Sequence, residues 1–134
     1  MLLVPGTTLN PQADFSYGWE PSLAKLGIPF CTIALPGNSM GDIQVAGEYV
    51  AYAIRTMHAA YGGRIDIIGH SQGGMVPRWA LRFWPDTRAM VDDLIGLSPS
   101  NHGTYDADHG NSRLMSSRVE VRGVAGSVGA KRAT

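Results

Sequence analysis

The sequence has 134 residues, of which 44% are hydrophobic and 16% charged, and 11 basic groups balance 11 acidic ones. This length and composition are typical of one globular domain or of part of one. No apolar run approaches the ~20 residues that span a bilayer, and residues 1–108 hold no basic cluster that would bind nucleic acid, so both roles are excluded.

The overall neutrality conceals two unlike segments. Residues 1–108 carry six basic and ten acidic groups, whereas residues 109–134 carry five basic groups and one acidic group. The second segment is rich in Gly, Arg and Ser and has no apolar periodicity. We therefore expect a domain over residues 1–108 and a basic tail over residues 109–134. Two explanations of the tail stay open, a disordered extension and the product of a reading-frame shift.

The first predicted strand is the buried run Leu2–Val4, which Pro5 and Gly6 end, and a loop follows over residues 5–18. Trp19, Leu23 and Leu26 have helical spacing, and Gly27 ends that short helix. A second strand is predicted over residues 30–35.

The most clearly marked element is a long helix that Asp42 caps and Gly62 ends, because its apolar residues recur at intervals of three and four. A strand over residues 65–68 comes next, followed by a helical run over residues 75–83 with Pro77 in its second turn, where a kink is expected. A strand over residues 92–97 closes the series. This alternation predicts an α/β fold with a parallel sheet of about four strands and flanking helices.

A candidate nucleophile lies in Gly69-His70-Ser71-Gln72-Gly73, which matches the G-x-S-x-G pattern of a nucleophile elbow. The pattern also occurs around Ser39, so the string alone is not specific. In an elbow the serine directly follows a strand and directly precedes a helix. Ser71 meets this condition, whereas Ser39 comes three residues after Pro36 and before a helix with its own cap. We predict Ser71 as the nucleophile and interpret Ser39 as a loop serine.

A serine nucleophile needs a base and donors for the oxyanion that develops during the reaction. In an elbow one donor is the N–H of the next residue, here Gln72. The loop after the first strand is a source of a second donor, and Thr7 offers both an N–H and a hydroxyl; the alternative is that Thr7 is an ordinary turn residue. Phe15 and Trp19 lie near this loop and are predicted to bind the acyl group of a substrate.

Several separated motifs, in this order, resemble the lipase B type of secreted α/β-hydrolase known from yeast and its bacterial relatives, over about residues 2–104. The motifs are Leu3-Val4-Pro5-Gly6-Thr7-Thr8, Trp19, Leu26-Gly27, Pro29 with Cys31, Asp42 with Gln44-Val45 and Glu48-Tyr49, Ser71-Gln72-Gly73-Gly74, and Gly103-Thr104.

The resemblance implies a serine esterase or triacylglycerol lipase that forms an acyl-enzyme, with Ser71 as nucleophile and Thr7 and Gln72 as the oxyanion hole. It also implies an ester or lipid substrate, contact with a lipid interface, an extracellular location, and no metal or organic cofactor. The first apolar run is too short for a secretory signal and lacks its basic region, so we predict no signal there.

The sequence also departs from the pattern of the family in two respects. The family's catalytic acid and histidine lie further from the serine than this chain extends, and the family's partner for the cysteine resembling Cys31 lies upstream of residue 1. We therefore expect an α/β-hydrolase fold that is incomplete at both ends, with little or no activity as an isolated chain.

The histidines of the chain do not restore a triad. His70 adjoins the nucleophile, but the elbow turns the two side chains apart, so His70 is interpreted as a packing residue. A replacement triad from His102, or from His109 with Asp106 and Asp108, is disfavoured, as is a metal site at Asp106, Asp108 and His109, because no rigid element holds them.

Three hypotheses follow for the function. The first is a carboxylic-ester hydrolase. The second is a non-catalytic remnant of a hydrolase, and the third is a thioesterase or acyltransferase with the same elbow.

Overall fold

The computed structural model describes residues 1–103, 121–123 and 126–127. The strands and helices are, in chain order, β1 (Leu2–Val4), α1 (Pro11–Phe15), α2 (Trp19–Lys25), β2 (Cys31–Ile33), α3 (Ile43–Tyr61), β3 (Ile65–His70), α4 (Val76–Phe83), β4 (Val91–Leu97), β5 (Val121–Gly123) and β6 (Gly126–Ser127). Three short 3-10 turns cover Pro36–Ser39, Ser71–Gly74 and Pro85–Met90.

The sheet has the strand order β4-β3-β1-β2-β5-β6. β1 pairs in parallel with β2 and with β3, and β3 pairs in parallel with β4, which confirms the predicted four-stranded parallel sheet. Val4 at the end of β1 lies opposite Gly69 near the end of β3. The loops that follow these two strands therefore leave the sheet side by side at the same edge.

Two short strands come from the segment that the sequence assigns to a tail. β5 pairs antiparallel with β2, and β6 pairs antiparallel with β5. This pairing was not predicted, because it joins backbone groups and needs none of the apolar alternation by which strands are recognised in a sequence. The division of the chain at residue 108 stays a prediction.

Helices cover both faces of the parallel sheet, which explains the unbroken apolar run of β1. Leu2 and Val4 point to one face and pack in a cluster with Val50 and Ile54 of α3. Leu3 points to the other face and packs with residues of α1 and α2. All three residues of β1 are fully buried, as is typical of a parallel strand between two helical layers.

The long helix α3 begins and ends as predicted. The Asp42 carboxylate accepts the N–H of Gln44 at 2.7 Å and that of Val45 at 3.4 Å, and Gly62 ends the helix with a φ of 71°. α2 also begins at the predicted Trp19. Among the described residues, no helix is both long and apolar enough to cross a membrane.

Two local features differ from the prediction. The segment predicted as a loop contains α1, which the Asn10 side chain caps and which begins with Pro11. The predicted kink at Pro77 is wrong: α4 begins at Val76, so this proline lies in the first turn, where its missing N–H removes no helical hydrogen bond.

Candidate active site

Ser71 lies at the point where β3 passes into the following turn. Its φ is 52°, in the left-handed region that a residue with a Cβ rarely adopts, and its side chain is half-buried. Strain of this kind is common where a fold holds a reactive group in place. One 3-10 turn, Ser71–Gly74, separates Ser71 from α4, whereas the helix was expected to begin at once.

The glycines around Ser71 allow backbone segments to touch. A Cβ at Gly69 would lie 1.9 Å from the carbonyl oxygen of Gly73, and a Cβ at Gly73 would lie 2.1 Å from that of Val4. No side chain can occupy either position unless the backbone moves. The turn that carries Ser71 is therefore packed directly against the ends of β1 and β3.

The loop after β1 contacts the residue that follows Ser71. Thr7 Oγ1 donates a hydrogen bond to Gln72 Oε1 at 2.6 Å. The turn in this loop is closed by the Leu9 N–H, which donates to the Gly6 carbonyl at 3.2 Å, so the Thr7 N–H takes no part in it. The Gln72 N–H lies in the first turn of a 3-10 helix, where N–H groups have no helical acceptor. Both predicted oxyanion donors thus lie on adjoining segments, with the Thr7 hydroxyl engaged by Gln72.

Asp14 of α1 also reaches this loop. Its Oδ2 accepts the Gly6 N–H at 2.9 Å, and His70 Nδ1 lies 2.9 Å from its Oδ1. His70 is therefore a residue that hydrogen-bonds to Asp14 and has a 39% exposed side chain, and the interpretation as a packing residue is corrected. The contact was not predicted because 56 residues separate the two side chains.

Ser100, in the loop after β4, is a further neighbour that the sequence did not indicate. Its Oγ lies 3.5 Å from Ser71 Oγ, and its N–H donates to the Ser71 carbonyl at 3.2 Å. Ser100 carries no motif of its own, and only the parallel pairing of β4 with β3 brings it to this position. It is placed to contact any group that approaches the Ser71 hydroxyl.

Within residues 1–103, no imidazole hydrogen-bonds to Ser71 Oγ. His70 Nδ1 is held by Asp14, and His58 Nδ1 lies 2.9 Å from the carbonyl oxygen of Gly63. The candidate triad and metal residues Asp106, Asp108 and His109 lie outside the described residues.

The structure places the two predicted acyl-binding residues in different environments. Phe15 has no exposed surface and packs in a core cluster with Leu3 and Leu23, so it has no face with which to line an open pocket. The reason is that α1, predicted as a loop, turns Phe15 toward the sheet. Trp19 is 37% exposed at the start of α2, and its contact with substrate stays a prediction.

Ser39, the other serine in a G-x-S-x-G pattern, has different surroundings. It lies in a 3-10 turn six positions after the end of β2, it is 2% exposed, and its Oγ has no hydrogen-bond partner. A buried hydroxyl is closed to a substrate. The two patterns therefore differ in accessibility as well as in their position relative to a strand.

A cleft of about 170 Å³ opens at the opposite edge of the sheet, near the first residues of β2 and β3. Cys31 and Tyr61 are among its lining residues, and Cys31 Sγ lies 3.9 Å from the Tyr61 hydroxyl. This contact raises the pKa of Tyr61. Because Ser71 follows the last residue of β3, the cleft is not part of the candidate active site.

Comparisons with known proteins agree with this architecture. No family model matches the chain. Over 105 residues the chain is 40% identical to lipase B of Pseudozyma antarctica. This alignment covers 78% of the chain and 31% of that protein.

Two solved structures are similar to this one. The crystal structure of Aspergillus fumigatus lipase B matches with a TM-score of 0.70 and 37% identity, over 77% of this chain and 25% of that one. The crystal structure of Bacillus licheniformis lipase BlEst2 in its mature form matches with a TM-score of 0.69 and 23% identity. The match covers 84% of this chain and 46% of that one, and it supports the fold alone. The chain thus spans less than a third of the lipase B proteins that it matches. With its parallel sheet, it has a partial α/β-hydrolase fold and is similar over most of its length to lipases of the lipase B type.

Proposed function

We propose that this chain carries the nucleophile and the oxyanion-binding part of a carboxylic-ester hydrolase, a lipase or esterase. The observation that carries the proposal is the position of the half-buried Ser71 directly at the end of β3 and beside the loop of Thr7. Its left-handed φ of 52° is shared with the buried Ser39, at 64°, and does not by itself distinguish the two serines. The similarity to proteins named lipase B supports an ester or lipid as the substrate.

In the proposed reaction, Ser71 Oγ attacks the ester carbonyl carbon while a base takes the hydroxyl proton. The carbonyl oxygen becomes an oxyanion and accepts hydrogen bonds from the N–H groups of Thr7 and Gln72. The intermediate then expels the alcohol, which receives the proton, and leaves an acyl-enzyme on Ser71. Water hydrolyses this ester and releases the acid.

The base and its supporting carboxylate come, in this proposal, from outside the described residues. Within those residues the partner of Ser71 Oγ is Ser100 Oγ at 3.5 Å, and the imidazole nearest in sequence, His70, is paired through Nδ1 with Asp14. The chain's own contribution is therefore to hold the nucleophile and the donors for the oxyanion. No metal or organic cofactor has a part in these steps.

The segment between α1 and α2 is proposed to contact the substrate or a lipid surface. Tyr17 is 94% exposed and Trp19 is 37% exposed. Aromatic side chains with a polar atom suit a boundary between apolar groups and water. This segment directly follows Asp14, which contacts the loop of Thr7 through Gly6. An extracellular location belongs to the same proposal and rests on the family resemblance.

A second candidate is a hydrolase segment without turnover of its own. It is favoured by the contact of the Ser71 hydroxyl with a second hydroxyl, that of Ser100, in place of an imidazole within the described residues. A hydroxyl does not act as the general base that serine needs. A thioesterase or acyltransferase would use the same elbow, and assays with thioester substrates and alcohol acceptors separate these activities from ester hydrolysis.

Hydrolysis of a short-chain chromogenic ester tests the proposal. We expect the 134-residue chain to hydrolyse the ester slowly, by direct attack of the Ser71 hydroxyl without the general base of a complete triad. The Ser71→Ala variant should lose this activity. The matched control is Ser39→Ala, which changes the buried serine of the second pattern and should keep it.

Equal rates for the unmodified chain and the Ser71→Ala variant, with both proteins folded by circular dichroism, would instead support the non-catalytic candidate. Loss of activity in Ser39→Ala alone would move the nucleophile to the other pattern.

A further inference from the structure

Asp14 joins three segments that are far apart in the sequence. Its Oδ2 accepts the Gly6 N–H at 2.9 Å, and its two carboxylate oxygens lie 2.9 Å and 3.1 Å from His70 Nδ1. Only 8% of the Asp14 side chain is exposed. One nearly buried carboxylate of α1 thus binds both the loop after β1 and the last residue of β3.

We propose that Asp14 is a positioning residue. It holds the loop after β1 that carries Thr7 (the oxyanion loop) against the turn that carries Ser71 (the nucleophile elbow). This inference rests on the proposed function of Ser71 and Thr7. Gly6 immediately precedes Thr7, and His70 immediately precedes Ser71. The carboxylate therefore contacts the neighbour of a proposed oxyanion donor and the neighbour of the proposed nucleophile. It acts on both sides of the site through the backbone, without contact with the reacting atoms.

Polar contacts are important where the loop leaves the core, because Pro5 and Gly6 are buried and the two residues after them are exposed. Thr7 and Thr8 are exposed, and Thr8 has a φ of 66°. A Cβ at Gly6 would lie 3.1 Å from Ser71 Cβ, so the loop approaches the elbow closely at this point. Hydrogen bonds to a carboxylate are stronger than those between neutral groups. The Asp14 carboxylate is thus the strongest described polar link between the loop and the end of β3.

The contact with Asp14 also determines which nitrogen of the His70 ring carries a hydrogen. An ionised carboxylate only accepts hydrogen bonds, so Nδ1 must carry a hydrogen when it binds Asp14. Nδ1 is then closed to the Ser71 hydroxyl. His70 serves as an anchor on β3 for the carboxylate. The His70 Nε2, which this contact leaves as an acceptor, makes no hydrogen bond to Ser71 Oγ within the described residues.

Amide hydrogen exchange and imidazole ¹⁵N spectra of the full 134-residue chain test the proposal. In Asp14→Ala, the amide of Gly6 should exchange about tenfold faster, since its hydrogen bond to a charged group is lost. Amides in α3 and β3 should keep their rates. The Nδ1 signal of His70 should also lose its protonated character.

Two further variants separate the roles of the carboxylate. Asp14→Asn keeps an acceptor oxygen for the Gly6 N–H, so exchange at Gly6 should stay slow while the His70 signal changes. Asp93→Ala removes an exposed carboxylate on β4 and is the matched control, which should change neither readout. Unchanged exchange at Gly6 in folded Asp14→Ala would overturn the proposal, as would equal acceleration of all core amides.

The rate at which a fluorophosphonate modifies Ser71 distinguishes failure of this inference from failure of the proposed function. Slower modification of Asp14→Ala, with protected core amides, is the expected result. Equal rates in the unmodified chain and in Asp14→Ala would overturn the positioning role alone. If another serine of the unmodified chain is modified faster than Ser71, the proposed function is wrong, and the exchange result decides whether Asp14 holds the loop.

Discussion

At Ser71 an unfavourable backbone conformation coincides with the proposed chemical role. The left-handed conformation costs a residue with a Cβ about 1–2 kcal/mol relative to its ordinary conformations, and glycine adopts it without that cost. Ser71 nevertheless holds a φ of 52° because the close contacts at Gly69 and Gly73 fix the turn around it. The strain is thus maintained by packing and directs the hydroxyl away from the strand.

Replacement of Ser71 by glycine should therefore stabilise the fold while it removes the nucleophile. We expect Ser71→Gly to be more stable toward urea than Ser71→Ala by about 1 kcal/mol, because only the alanine variant retains the Cβ in the left-handed conformation. Urea unfolding followed by tryptophan fluorescence measures the difference. Equal stability of the two variants would show that the turn at residue 71 is not strained.

The positions of the two serines relative to the strands were predictable, whereas the neighbours of Ser71 were not. Ser71 and Ser39 differ in whether a strand directly precedes them, which the sequence displays. Asp14 and Ser100 reach the site over separations of 56 and 29 residues, and no local pattern marks them. Such contacts exist only once the strands are paired.

At the scale of elements, the site is a consequence of two adjacent parallel strands. The pairing of Val4 with Gly69 brings the loop after β1 beside the turn after β3. A Cβ at Gly73 would lie 2.1 Å from the Val4 carbonyl oxygen and 2.5 Å from that of Pro5. The distance between the oxyanion loop and the elbow is therefore set by backbone contact, and a side chain at residue 73 would separate them.

We expect Gly73→Ala to destabilise the fold by roughly 3 kcal/mol or more, because the new methyl group meets backbone atoms that have no room to move. Gly63→Ala is the matched control, since a Cβ at Gly63 would meet nothing within 4 Å, and its effect should stay within about 0.5 kcal/mol. Chemical denaturation of both variants measures this. Similar small effects in the two would mean that the backbones of the elbow and β1 are not in contact.

Elements with strong local signals were predicted and those without them were missed. α3 has a capping aspartate, an apolar face and a terminal glycine, and its observed bounds match these signals. α1 has five residues, too few for a helical period, although Asn10 before Pro11 is a typical helix start. The assignment of Phe15 to a pocket failed for this reason, since a short helix directs its side chain into the core.

For the whole molecule, the described residues contain the proposed nucleophile and the proposed donors for the oxyanion. The nucleophile turn and the oxyanion loop lie together at one edge of a sheet that helices cover on both faces. β4 pairs with β3, and within the described residues no strand pairs with its other edge, where Ile95 is 46% exposed. The chain corresponds to 31% of the lipase B of Pseudozyma antarctica. We therefore expect a reactive position at Ser71 to be detectable even where turnover is slow.

Modification by a fluorophosphonate, with the modified residue identified by peptide mass spectrometry, tests the central claim most directly. We predict that the folded 134-residue chain incorporates the phosphonate at Ser71, that Ser71→Ala incorporates none, and that Ser39→Ala incorporates it as the unmodified chain does. A folded chain in which another serine gains the phosphonate faster than Ser71 does would contradict the assignment of Ser71 as the nucleophile.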